Sequence, residues 1–144
     1  MRADRKELAM NAIGGDLCRE HCGTKVLECA PDGPKVGCAQ GAADLVNEAF
    51  ETGARVIAVP VERLAEDFFT LSSRVAGEVA QKVVQYGIKL AVVGDISRYL
   101  KQSAPLRDWV RESNRGADLW FVEDFIALDE KLEARNRARE AVAE

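Results

Sequence analysis

Imidazole is nearly missing from this chain: its 144 residues include one histidine, His21. A Ser–His–Asp triad needs an imidazole to take the serine proton. His21 stands in a stretch without regular period, so serine-based hydrolysis has no evident base. His21-Cys22 opens like a phosphatase loop, HC-x₅-R, but Glu28 occupies the position of the phosphate-cradling arginine. Basic excess is missing too. The 20 lysines and arginines face 24 aspartates and glutamates, for a net charge of −4. Nothing is left to neutralise a phosphate backbone, so no nucleic acid is expected as partner. No apolar run approaches the roughly 18–20 residues of a membrane span. The first 22 residues, MRADRKELAMNAIGGDLCREHC, carry charges throughout and no apolar core of signal-peptide length. The expectation is a cytoplasmic protein with no membrane partner. There is no G-x-G-x-x-G and no P-loop, and no cofactor is expected.

Cysteine is confined to one end. Cys18, Cys22, Cys29 and Cys38 all precede residue 39, and His21 lies among them. Without an export signal, reduced thiols are the expected state. Zinc held by Cys18, His21 or Cys22, Cys29 and Cys38 is the sharper alternative. Structural zinc sites usually use two closely spaced cysteine pairs. Here only Cys18 and Cys22 are close, so no metal residue is assigned.

What is present is regular patterning from Thr24 onward. RKELAMNAI reads as a short helix broken by Gly14-Gly15, and residues 1–22 read as an extension. KVLECA (25–30) and KVGCA (35–39) flank Pro-Asp-Gly-Pro, which predicts a β-hairpin because Asp and Gly tolerate positive φ. Ala42, Leu45, Val46, Ala49 and Phe50 repeat at helical spacing, and Gly53 ends that helix. RVIAVP (55–60), KLAVVGD (89–95) and DLWFVED (118–124) read as buried strands. Helices are predicted over 72–86 and 104–114, and another from Phe125. Leu128 and Leu132 form the seam of that last helix, and a charged helical tail spans 133–144. Single domain boundaries follow at 23–132. The order, ββαβαβαβα, argues for an α/β fold whose mixed sheet begins with a hairpin and continues with parallel strands.

In such folds ligands meet the edge where strands end and helices begin. That edge offers Ser72, Ser73, Arg74, Asp95, Ser97, Arg98, Ser103 and Asp124. Asp95 and Asp124 form a possible carboxylate pair. Acids are common at strand ends, and no catalytic residue is assigned. Ser72 and Ser73 precede a helix and have three readings. They suit a cap, in which a hydroxyl accepts from a free N–H of the first turn. Ser73 also suits a phosphoacceptor, since a helix N-terminus favours added negative charge and Arg74 is adjacent. A ligand-oxygen contact is the third reading.

The stretch FFTLSSRVAGEVAQKVVQYGIKLAVVGDISRY, followed by SAPLRDWVRESNRG and LWFVED, resembles the bacterial domain-of-unknown-function family 4180. The resemblance runs from about Thr24 to Leu132. Its motif falls here on Glu78, Gln81, Lys82, Tyr86, Gly94, Asp95, Arg107, Asp108, Glu112 and Asn114. Where that pattern has an acid after the two aromatics, this chain has Thr70. The resemblance implies no established activity. The element order is also similar to the sulfate-transporter and anti-sigma-factor-antagonist (STAS) fold, in which a serine opening a helix is a phosphorylation switch. Ser73 matches that position, but Leu71-Ser72-Ser73-Arg74 lacks the aspartate and glycine of the usual Asp-Ser-Ser-Gly.

Two residue-level expectations accompany this. Gly77 inside a helix costs about 1 kcal/mol against alanine, and close packing on the sheet is expected to offset it. Arg107 has two readings: a surface charge lattice with Asp108 and Glu112, or a reach to Asp95 or Glu78 that locks two helices against the strand edge. The functional expectation is a non-enzymatic regulatory or protein-interaction module with a protein partner. Its contact residues would be Ser72, Ser73, Arg74, Glu78, Lys82, Asp95 and Arg107. The alternative is a small-ligand-binding domain or minor enzyme at the same edge, with Glu78, Lys82, Asp95 and Arg107 around one pocket. A homodimer is compatible with either.

Overall fold

The computed structural model describes residues 16–33, 35–37 and 39–143. The short helix expected over RKELAMNAI, together with Pro34 and Cys38, lies outside them. One five-stranded sheet organises the chain. β1 (Leu17–His21) and β2 (Thr24–Glu28) form an antiparallel hairpin. Helix α1 (Ala39–Thr52) leads to β3 (Val56–Pro60). Three 3₁₀ turns (Val61–Arg63, Glu66–Phe69, Leu71–Ser73) lead to α2 (Val75–Gln85). Then come β4 (Lys89–Val93), a short α3 (Ser97–Gln102), α4 (Ala104–Arg115), β5 (Leu119–Val122) and α5 (Phe125–Ala143). Strands β2 to β5 pair in parallel. The mixed α/β architecture that begins with a hairpin is the one the patterning predicts.

The hairpin sits elsewhere in the chain. Its turn is Cys22-Gly23, with φ of 52° and 82°. Two positive φ values twist a two-residue loop in the sense that antiparallel strands need. Pro31-Asp32-Gly33 does turn the chain, with Gly33 N–H donating to the Ala30 carbonyl at 3.3 Å. The described residues of the run after it contribute one parallel bridge, Val36 to Leu64, and no strand. The first strand of the sheet therefore falls within the stretch read as an extension.

Strand order follows chain order, so crossovers of one hand place their helices on one face. Leu27, Ile57, Leu90 and Leu119 line up across the strands on that front face. They pack with Leu45 and Val46 of α1, Val79 and Val83 of α2, and Leu106 and Val110 of α4. After β5 the chain enters α5, which returns across the back face. That face carries Val26, Val56, Ala58, Ala91, Trp120 and Val122 beneath Leu128 and Leu132. The row Ala58–Ala91–Trp120 is small in the middle and large at the end, which gives one helix a trough to lie in.

Leu128 is fully buried and Ile126 is 70% exposed on the same helix. Leu128→Ala is expected to cost about 2–4 kcal/mol in urea unfolding, the usual range for a cavity in a filled core. Ile126→Ala is expected to stay within about 0.5 kcal/mol.

Candidate functional site

The carboxyl ends of the parallel strands carry two clefts. The larger, of about 540 Å³, lies between the β3–α2 connection and the β4–α4 connection. Glu66, Phe69, Thr70, Leu71 and Ser72 wall one side; Arg98, Tyr99, Gln102, Ser103 and Pro105 wall the other. Phe69 and Tyr99 stack at 4.1 Å. Arg98 lies over the Tyr99 ring, 4.6 Å from its centroid, and donates to the Tyr99 hydroxyl at 2.5 Å. That bond holds the Arg98 guanidinium above its ordinary pKa. The second cleft, of about 460 Å³, lies over the strand ends themselves. It holds four acids, Glu28, Glu62, Glu123 and Asp124.

The sequence-predicted residues divide among several local jobs. Ser73 does the capping, from one position earlier than a usual cap. Its Oγ accepts from Val75 N–H at 3.3 Å and offers its proton to the carbonyls of Asp67 (2.6 Å) and Thr70 (2.7 Å). Arg74 follows in the left-handed conformation, φ 66°. Ser72 faces the larger cleft. Asp95 accepts from Ser97 N–H at 2.9 Å, and its bonds to Ser97 hold its carboxyl below the usual range. Arg107 reaches neither Asp95 nor Glu78. It donates to the Leu100 carbonyl at 2.7 Å and ties α4 to α3. Lys82 lies 5.6 Å from the Tyr86 ring centroid. Arg74 and Glu78 line a separate groove with Gly77 and Gln81. Among the described residues, no hydrogen bond or ion pair joins Glu78, Lys82, Asp95 and Arg107.

The remaining chemistry candidates are also engaged. His21 bridges the hairpin to α5: Nε2 faces Glu28 Oε2 at 2.5 Å and Nδ1 faces Asp129 Oδ1 at 2.6 Å. Its ring stacks on Phe125. Cys29 is buried, and burial pushes its thiol far up in pKa. Desolvation, with the Asp129 and Glu133 carboxylates, raises Cys22 as well. Neither thiol is therefore primed as a thiolate nucleophile. No group of three or more His, Cys, Asp or Glu among the described residues is arranged to hold a metal ion.

A model of the family described as Domain of unknown function (DUF4180) matches residues 21–132, more than three quarters of the chain. The chain belongs to this family. No curated protein and no solved structure matches it. Within the DUF4180 stretch, several motif positions have structural work. Asn114 Oδ1 accepts from Phe121 N–H at 2.7 Å, and its carbonyl accepts from Lys131 at 2.9 Å. Asp95 and Arg107 close local turns. Glu78 and Gln81 face outward.

One charged cluster in this DUF4180 protein was not anticipated. Arg63 and Asp16 are buried together, at 4% and 2% exposure, with Nη1 to Oδ1 at 3.0 Å. Arg63 also donates to the Ala30 carbonyl, and Ala30 N–H donates to Asp16. Glu48 on α1 completes the group at the wall of a 390 Å³ cavity. Burial, the hydrogen bond with Asp16 and the Asp16 charge push its carboxyl pKa up to about 8. No spacing rule signals such a cluster, because its three members come from distant parts of the chain.

Glu48 takes up a proton on folding wherever the unfolded chain has lost it. Its contribution to stability is complete below the ordinary carboxyl range and is lost as pH rises through about 8. Glu48→Gln keeps the donor to Asp16 and removes the titration. Urea midpoints of the wild type are expected to fall between about pH 5 and pH 9, and those of Glu48→Gln to fall less.

Proposed function

We propose that this DUF4180 domain is a non-enzymatic regulatory or protein-interaction module, bacterial and cytoplasmic, with a fold related to the antagonist (STAS) domains. Its contact surface is the 540 Å³ cleft. The observation that carries the reading is the composition of that cleft. Thr70, Ser72, Gln102 and Ser103, with the charged Glu66 and Arg98, form a polar rim around the Phe69–Tyr99 stack. Aromatic area with directional hydrogen bonding suits a protein interface. Its hydroxyls have no adjacent imidazole to activate them, since His21 is held by Glu28 and Asp129.

Ser73 is the phosphoacceptor of this proposal. A phosphoryl group there gains from the N-terminus of α2. It also removes the proton that now bonds the carbonyls of Asp67 and Thr70, so modification reshapes one wall of the cleft. The second reading, a small-ligand domain or minor enzyme, draws on the acidic cleft with Glu28, Glu62, Glu123 and Asp124.

A photo-reactive residue placed at Ser72 or Gln102 is expected to trap one and the same protein from a lysate of the source organism, identified by mass spectrometry. One placed at Glu130, exposed on the opposite helix, is expected to trap none. Ser73→Glu is expected to change the yield. Absence of any adduct, together with turnover of a metabolite panel by the purified chain, replaces this reading with the second.

A further inference from the structure

Gly77 is the third residue of α2, in its first turn. It is exposed, and a Cβ built on it meets nothing within 4 Å. The side chains of α2 buried in the core are Ala76, Val79 and Val83, so the sheet packing expected to justify this glycine does not involve it. Glycine weakens a helix relative to alanine, and its use is to let another backbone come close. Here that approach is open only from outside. The surface around Gly77 is a groove of about 380 Å³ lined by Leu71, Arg74, Glu78, Gln81 and Trp109. Leu71 and Trp109 are only partly buried by the chain itself. The side chains of Arg74 and Glu78 take part in none of the ion pairs among the described residues.

We propose that α2 docks antiparallel against α2 of a second copy of this chain, about a two-fold axis beside Gly77. The argument is charge complementarity. Gln81 follows Gly77 by four and Glu78 by three on α2, and Arg74, the left-handed residue just before the helix, lines the same groove. The cation lies before the glycine, and the carboxylate and amide lie at and after it. A two-fold axis reverses the partner helix, so Arg74 of each copy meets the partner's Glu78 and the partner's Gln81. Both ends then pair at once, as an isologous interface requires. A guanidinium against a carboxylate is the strong form of such a bond. The missing Cβ of Gly77 brings the two helix axes closer, and Leu71 and Trp109 supply apolar contact beside them.

The test is the mass of the full chain in solution, by sedimentation equilibrium. The wild type is expected at twice the chain mass at about 100 µM, a concentration that reveals even modest affinity. Arg74→Glu and Glu78→Arg are each expected to raise the dimer Kd at least about tenfold, and the double swap to restore it. Gly77→Ala is expected to do two opposite things: raise the thermal midpoint measured on dilute monomer, and weaken the dimer at least about tenfold. This last variant strengthens its own helix, so it decides the matter even if the charge variants fold poorly. A wild type that stays monomeric overturns the proposal. So does a dimer indifferent to Gly77→Ala and to Arg74→Glu.

Discussion

The buried guanidinium of Arg63 holds the start of the sheet to the rest of the fold. It lies in the first turn after β3, and its side chain gathers Asp16 from before β1 and the Ala30 carbonyl from after β2. Its own carbonyl accepts from Val36 N–H at 2.6 Å, which fixes the loop that leads into α1. Gly33 is required here by contact: a Cβ would stand 2.6 Å from Arg63 Nη1. A charge buried this deeply is tolerable only with its partners in place. The start of β1, the β2 exit, the loop before α1 and the β3 exit are thus bound to one residue. Glu48 adds a proton-dependent contact from α1, so this junction responds to pH.

The two faces of the sheet are closed by different means. The front is covered by three helices that follow from chain order. Among the described residues the back has one helix: Leu128 and Leu132 press on the small middle of the sheet, Lys131 bonds the Asn114 carbonyl, and Asp129 and Asn136 reach the hairpin through His21 and the Cys22 carbonyl. The strand-end rim is rigid for a related reason. Ser73, Asp95 and Ser103 each accept a backbone N–H at a helix or turn start. Groups that look like chemistry in the sequence are fixing backbone along that rim.

Particular elements show why some features were legible and others were not. The helices were readable because their apolar residues recur with the period that burial on one face imposes. RVIAVP, KLAVVGD and DLWFVED were readable because strands buried on both faces become continuous apolar runs. The hairpin was misplaced because Asp-Gly is a strong turn signal whether or not strands flank it. The true turn, Cys22-Gly23, joins two strands at the sheet edge, where alternation is weak. Of the three readings open for Ser73, the cap has a visible contact, but its hydroxyl acts one residue before the cap position because Arg74 adopts a left-handed conformation. Arg107 was placed near Asp95 by proximity in the edge. Its nearest acceptor instead proved to be a backbone carbonyl of the short helix α3, which no pattern announced.

The sequence by itself determined the α/β class, the family, the sites of the parallel strands and the edge on which their carboxyl ends meet. These depend on periodicity and local motifs, which are properties of neighbouring residues. Only the tertiary structure decided that Asp16, Glu48 and Arg63 form one cluster, and that His21 is a bridge between hairpin and helix. It also decided that Gly77 faces open space. Each of these rests on groups far apart in the chain, or on which side of a helix is left uncovered. Such relations exist only once the sheet has brought the distant segments together.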